Sequence, residues 1–204
     1  GIEIDIDGDG HPNQSMHALR IIHFIDSDSD GTPNTLIGVE YGGWLFDNNS
    51  DGRPDTSHVG WLGVRLDDRN GDGHIDKIST LQGYELVRDD DANGVAEQRS
   101  HYIAAAVVKD LDNDGNPEYV WVLEIADDAV DNDQDGAWDW HNGSFAGAAA
   151  RDVDSDGHAE SYVAMRVYNV KHGEHANGFS SQVSTLWVLT ATDSNDDGTP
   201  DEVH

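Results

Sequence analysis

The chain has 204 residues, 41 acidic against 11 basic, and a formal charge of −30. That balance speaks against nucleic acid or an anionic membrane as partner, and the absence of cysteine excludes disulfides and thiol chemistry. Six Trp, six Tyr and four Phe, set in a strict periodicity, argue against a disordered acidic chain. The length suffices for one domain with a core, and no apolar run is long enough to span a bilayer. The chain opens at Gly1 without a leader, which reads as a mature, processed product.

From the N-terminus one loop recurs. Its first copy carries oxygen donors at positions 1, 3, 5 and 9: Asp5, Asp7, Asp9 and Asn13, with Gly10 at position 6. The frame returns at Asp26, Asp28, Asp30 and Asn34, then at Asp47, Asn49, Asp51 and Asp55. It continues through Asp68, Asn70, Asp72 and Asp76, and through Asp89, Asp91, Asn93 and Glu97. The clearest copy is Asp110, Asp112, Asp114 and Glu118; then come Asp131, Asp133, Asp135 and Asp139, and Asp152, Asp154, Asp156 and Glu160. A ninth set, Asp193, Asn195, Asp197 and Asp201, begins one residue early. Alternating acids around a turn-forming Gly wrap hard oxygen ligands about Ca²⁺, with the position-7 carbonyl as a further donor. The expectation is about nine calcium sites, with His11, His74 and His158 at position 7 offering only backbone carbonyls. Nine divalent ions would bring the charge from −30 to about −12, so folding is expected to require metal. Residues 173–181 keep the frame as His175, Asn177 and Gly178 but have lost the acids, and are expected to hold no ion. Position 12 is never Glu, so these are loops between strands and not EF-hands.

Between loops the chain reads as β: YVWVLEI follows Glu118, and AAAVV precedes Asp110. Loop starts recur every 21 residues, but the residue 14 after each start alternates. It is Leu19, Trp61, Ile103, Phe145 and Trp187 in odd repeats and Glu40, Gln82, Glu124 and Arg166 in even ones. The unit is thus 42 residues with two unlike halves. This predicts an all-β, five-bladed β-propeller of 42-residue blades, each blade two strand–loop–strand repeats. Residues 1–204 would form one domain of ten repeats, its terminal blade shared by the N- and C-terminus. A calcium-bound β-solenoid is the alternative.

The segments VVKDLDNDGNPEYVWV and AARDVDSDGHAESYVAM resemble the calcium-binding FG-GAP and VCBS repeats of integrin-α-like propellers and many secreted bacterial proteins. The resemblance runs along the whole chain at motif level and implies calcium ligation by the loop acids. The chain departs from that pattern in its short repeat unit, its metal loop in both half-units and its missing FG-GAP dipeptides.

Calcium loops of this kind fill at extracellular calcium levels, which points to secretion. Trp138 and Trp140 flank Asp139, and alternation would put both on one strand face as a sugar-stacking pair or as core. A propeller would also bring His58 and His101 onto one ring, where they read as a weak ligand site or as an exposed polar strand. The functional expectation is a secreted, non-catalytic module for carbohydrate, matrix or another extracellular protein. Alternatives are a subunit of an extracellular filament that self-associates through terminal strands, and a polysaccharide lyase-like enzyme using His58, His101 and Arg99.

Overall fold

In a computed structural model of the chain, residues 1–175 and 178–204 are described. They form one antiparallel sheet in strict chain order: β1 (Ile2–Ile4), β2 (Gln14–Ile25), β3 (Thr35–Phe46), β4 (Thr56–Asp67), β5 (Lys77–Arg88), β6 (Gln98–Lys109), β7 (Tyr119–Val130), β8 (Trp140–Arg151), β9 (Ser161–His175), β10 (Gly178–Thr192) and β11 (Glu202–Val203). Nine long strands at about 4.8 Å spacing make a sheet roughly 40 Å wide and about 40 Å along the strands. Each loop is followed by a strand that returns beside the one before it. Loops 5–13, 47–55, 89–97 and 131–139 therefore line one edge, and loops 26–34, 68–76, 110–118, 152–160 and 193–201 line the other.

The expected all-β class is present, but the propeller is not. β1 and β11 lie at opposite ends of the sheet, so the termini share no blade, and among the described residues strands contact only their sequence neighbours. Of the two expected architectures the solenoid is the nearer, because each repeat packs only on the next. The 42-residue alternation has a simpler cause than blades. Paired residues share a face, and from β2 to β9 every pair has matching parity, such as Leu19 with Tyr41 and Tyr41 with Trp61. Odd-numbered residues thus occupy one face and even-numbered residues the other. A 21-residue repeat is an odd step, so each repeat position changes face at every copy.

The apolar partners of that alternation form a row across the odd face: Leu19, Tyr41, Trp61, Gly83, Ile103, Ile125, Phe145, Val167 and Leu186. The next row, Ile21, Val39, Gly63, Leu81, Ala105, Leu123, Gly147, Met165 and Val188, has no polar side chain. Across the middle of the even face run Arg20, Glu40, Gln82, Glu124 and Arg166 instead, with Arg20 and Glu40 paired at 3.8 Å. Gly83 is required where it stands, since a Cβ there would come within 2.5 Å of the Trp61 ring lying across it.

β9 and β10 are each 15 residues long and pair up to His175 with Gly178, where other repeats have a nine-residue loop. Residues 176–177 of the acid-free frame lie outside the described residues. The shorter connection reverses the parity beyond it and brings the last loop in one residue early. Trp187 consequently falls on the even face, 69% exposed, and Leu186 takes the place expected for it.

With one layer there is almost no apolar interior. Among the described residues the buried apolar side chains are Ala92, Ala129 and Ala191, while Asp131 and Asp193 are each 1% exposed. The surface is 12183 Å², against about 9,400 Å² for a compact protein of this mass. The buried acids lie at the edges, and hydrophobic residues cover the faces.

Candidate metal centres and the aromatic groove

Each loop is held by its own carboxylates and amides. In all nine, the position-1 Asp accepts a hydrogen bond from the amide of the position-6 Gly at 2.8–3.0 Å. The position-5 side chain accepts from the position-7 amide at 2.7–2.9 Å. The position-9 side chain accepts from the position-2 amide. These turns need two left-handed residues. One is the Gly, for example Gly31 at φ 95°. The other is position 4, filled by residues such as Ser29, Ala92, Gln134 and Asp196 at φ 56–64°. That second position was hidden in the sequence, because only Gly8 and Gly71 mark it.

The side chains converge. Asp5, Asp7 and Asp9; Asp26, Asp28 and Asp30; Asp89, Asp91 and Glu97; and Asp110, Asp112 and Glu118 each bring ligand atoms within 4.8 Å of one another. These groups could hold metal ions. At Asp55 and Asp76, each 3% exposed, one carboxylate oxygen takes the position-2 amide and the buried Oδ1 faces no protein donor. A buried anionic oxygen without a donor is costly unless a cation meets it. An all-oxygen donor set of carboxylate and Asn groups suits a hard cation.

Loops on one edge are also bound to one another. The position-1 amide donates to the position-9 carbonyl of the preceding loop, as from Asp47 to Asn13 (2.9 Å) and from Asp131 to Glu97 (2.9 Å). Position 4 reaches back to the same position-9 side chain: Gln134 Nε2 donates to Glu97 Oε1 (2.6 Å), and Ser155 Oγ to Glu118 Oε1 (3.1 Å). The position-7 histidines do more than offer carbonyls. The His11 and His158 rings pack against Gly52 and Gly198 of the next loop, and His158 forms a candidate metal group with Asp156 and Asp196.

The Ser50 hydroxyl holds the Asp7 carboxyl below the ordinary range, and the Gly31 and His74 amides do the same for Asp26 and Asp72. Asp196 moves up, through burial and the repulsion of Asp154, Asp156 and Glu160. Lowered carboxyls stabilise the fold above their unfolded value and lose that contribution as pH falls through their folded one. Melting temperature is therefore expected to hold from neutral pH down to about 5 and to drop below about 4. A rise on acidification would show that these hydrogen bonds do not support the fold.

The remaining predicted site residues are dispersed. Trp138 lies in loop 131–139 and Trp140 opens β8, so they do not alternate on one strand. His101 and Arg99 are on the odd face, with Arg99 paired to Glu85 at 3.1 Å, while His58 is on the even face. No ring gathers the histidines, because the sheet does not close. His58 instead joins an aromatic chain that the sequence did not reveal. Trp44 stacks on His58 at 4.3 Å, His58 lies 5.6 Å from Tyr84, and Tyr84 lies 5.5 Å from Tyr102. These rings, with Glu40 and Gln82, line a groove of about 590 Å³ over Gly42 and Gly60. The paired glycines were its only sequence signal: Gly42 faces Gly60 across β3 and β4, and neither has a side chain to fill the floor.

No family model, curated protein or solved structure matches the chain.

Proposed function

We propose that the chain is a secreted, calcium-stabilised, non-catalytic binding module of the FG-GAP/VCBS-like kind that takes a neutral glycan in the even-face groove. The observation that carries this reading is the groove itself. Trp44 and Tyr84 are 43% and 38% exposed beside a glycine floor, with Glu40 and Gln82 at hand for hydroxyl groups. Apolar ring faces with a few convergent polar groups suit a sugar, whose ring has a C–H face and a hydroxyl rim. A neutral glycan is favoured over an acidic one by the charge of −30. Calcium fills the nine loops as structural ions: their donors are hard oxygens, and extracellular calcium suits open, surface-edge loops.

Glycan-array screening in calcium, followed by titration of a hit, tests this. Trp44→Ala is expected to weaken binding at least tenfold without changing the melting temperature by more than a few degrees. Unchanged binding by that variant would remove the groove as the site. A second reading, a filament subunit joined through strand edges, is favoured by one observation. β1 covers β2 only at Gln14–Met16, leaving most of that edge unpaired among the described residues.

A further inference from the structure

We infer that the odd-numbered face is an interface between two copies of this chain, packed sheet on sheet. The two faces differ in where their apolar rows lie. The odd face carries its two adjacent uncharged rows across mid-strand, whereas the even face is crossed there by charges at Arg20, Glu40, Glu124 and Arg166 and keeps its own uncharged rows, from Ile22 to Leu189 and from Phe24 to Ala191, off centre toward loops 26–34 and 152–160. Exposure on the odd band is high: Leu19 is 56%, Ile21 52%, Leu81 49% and Leu186 62% exposed. A polar rim borders it on the side of loops 89–97 and 131–139, where Glu85 pairs with Arg99 and Asp127 with His141 at 2.6 Å. An apolar centre with a charged rim is the anatomy of an interface.

Area and shape select the occupant. The chain exposes 12183 Å², about 2,800 Å² more than a compact protein of its mass over its two faces together, while a stable dimer needs about 800 Å² from each partner. A long, even band of this width matches a second copy of itself, as in the aligned packing of two sheets about 10 Å apart. Gly63 and Gly147 leave shallow recesses in the band, where side chains of the other copy can seat. The arrangement is isologous, closes at two chains and leaves both even-face grooves open. The acids sit on the edges, where two copies bring their loops together. Assembly therefore depends on calcium, and in that one respect it rests on the calcium reading above.

Sedimentation equilibrium of the whole chain in millimolar calcium tests the interface, with circular dichroism of each sample reporting folding separately. The expected mass is twice 22.2 kDa, falling to one chain on dilution. Ile125→Lys, in the middle of the odd band, is expected to weaken dimerisation at least tenfold, and Val122→Lys on the even face to leave it unchanged. Should Ile125→Lys fail to fold, Leu19→Lys at the end of the band takes its place. A folded wild type that stays at 22.2 kDa at every concentration overturns the proposal. So do particles larger than two chains, or a dimer broken by Val122→Lys and not by the odd-face variants.

Discussion

Chelation of calcium is expected to abolish the β-sheet signal in circular dichroism, and returning calcium is expected to restore it. Folding without metal places 41 acidic side chains on one chain, most of them along two sheet edges. Almost no apolar core offsets that repulsion, since three alanines are the buried apolar residues among those described. Ions bound only by the folded state stabilise it by mass action. With free calcium at ten times the dissociation constant, each site contributes about 1.4 kcal/mol and nine sites about 13 kcal/mol. That is as large as the whole stability of an ordinary domain, about 5–15 kcal/mol. An unchanged spectrum in EGTA, at neutral pH and moderate salt, would show that backbone pairing alone holds the sheet and would reject calcium as its main support.

Replacing one buried loop acid is expected to reach beyond its own loop. Asp131 accepts hydrogen bonds from the Gln134 and Gly136 amides at 2.7 and 3.0 Å. Its amide donates to the Glu97 carbonyl, and Gln134 holds the Glu97 side chain. Asp131→Ala leaves two amides without their acceptor, at about 1–3 kcal/mol each, and removes one ion's contribution. The total is on the order of 4–6 kcal/mol, which corresponds to a fall of roughly 10–20 °C in melting temperature at this chain length. Asp5→Ala, in an exposed loop at the end of the same edge, is expected to cost only a few degrees. Calcium titration should show Asp131→Ala losing more than one site, because loop 89–97 loses the partner of Glu97. Equal effects of the two variants, with one site lost in each, would mean that the loops act independently.

The edge contacts give these results a common cause. Every loop after the first on its edge donates through position 1 to the loop before it, and Ser50, Gln134 and Ser155 at position 4 also touch that loop's position-9 side chain. Order in one loop therefore favours order in the next along the same edge, and the two edges communicate only through the strands between them. This nearest-neighbour coupling is what a linear repeat array provides.

Loops, strands and their period were all legible in the residues alone. Acids at alternating positions before an obligatory Gly can satisfy their turn in only one way, and β-rich segments of constant length between them leave little choice but antiparallel return. The sequence also contained the two-faced alternation, since Leu19, Trp61, Ile103 and Phe145 recur at every second step. What it could not express was which geometry produced that alternation. Blades of two hairpins and a plain meander with an odd repeat length write the same pattern, because parity and radius are indistinguishable along a chain. Only the strand register decided between them, by placing β1 and β11 at opposite ends of an open sheet. Register also separated His58 from His101, moved Trp187 to the other face and assembled Trp44, His58, Tyr84 and Tyr102 over two glycines. Those four residues come from four strands and share no spacing. Their proximity arises from backbone pairing across the sheet, which local sequence does not encode.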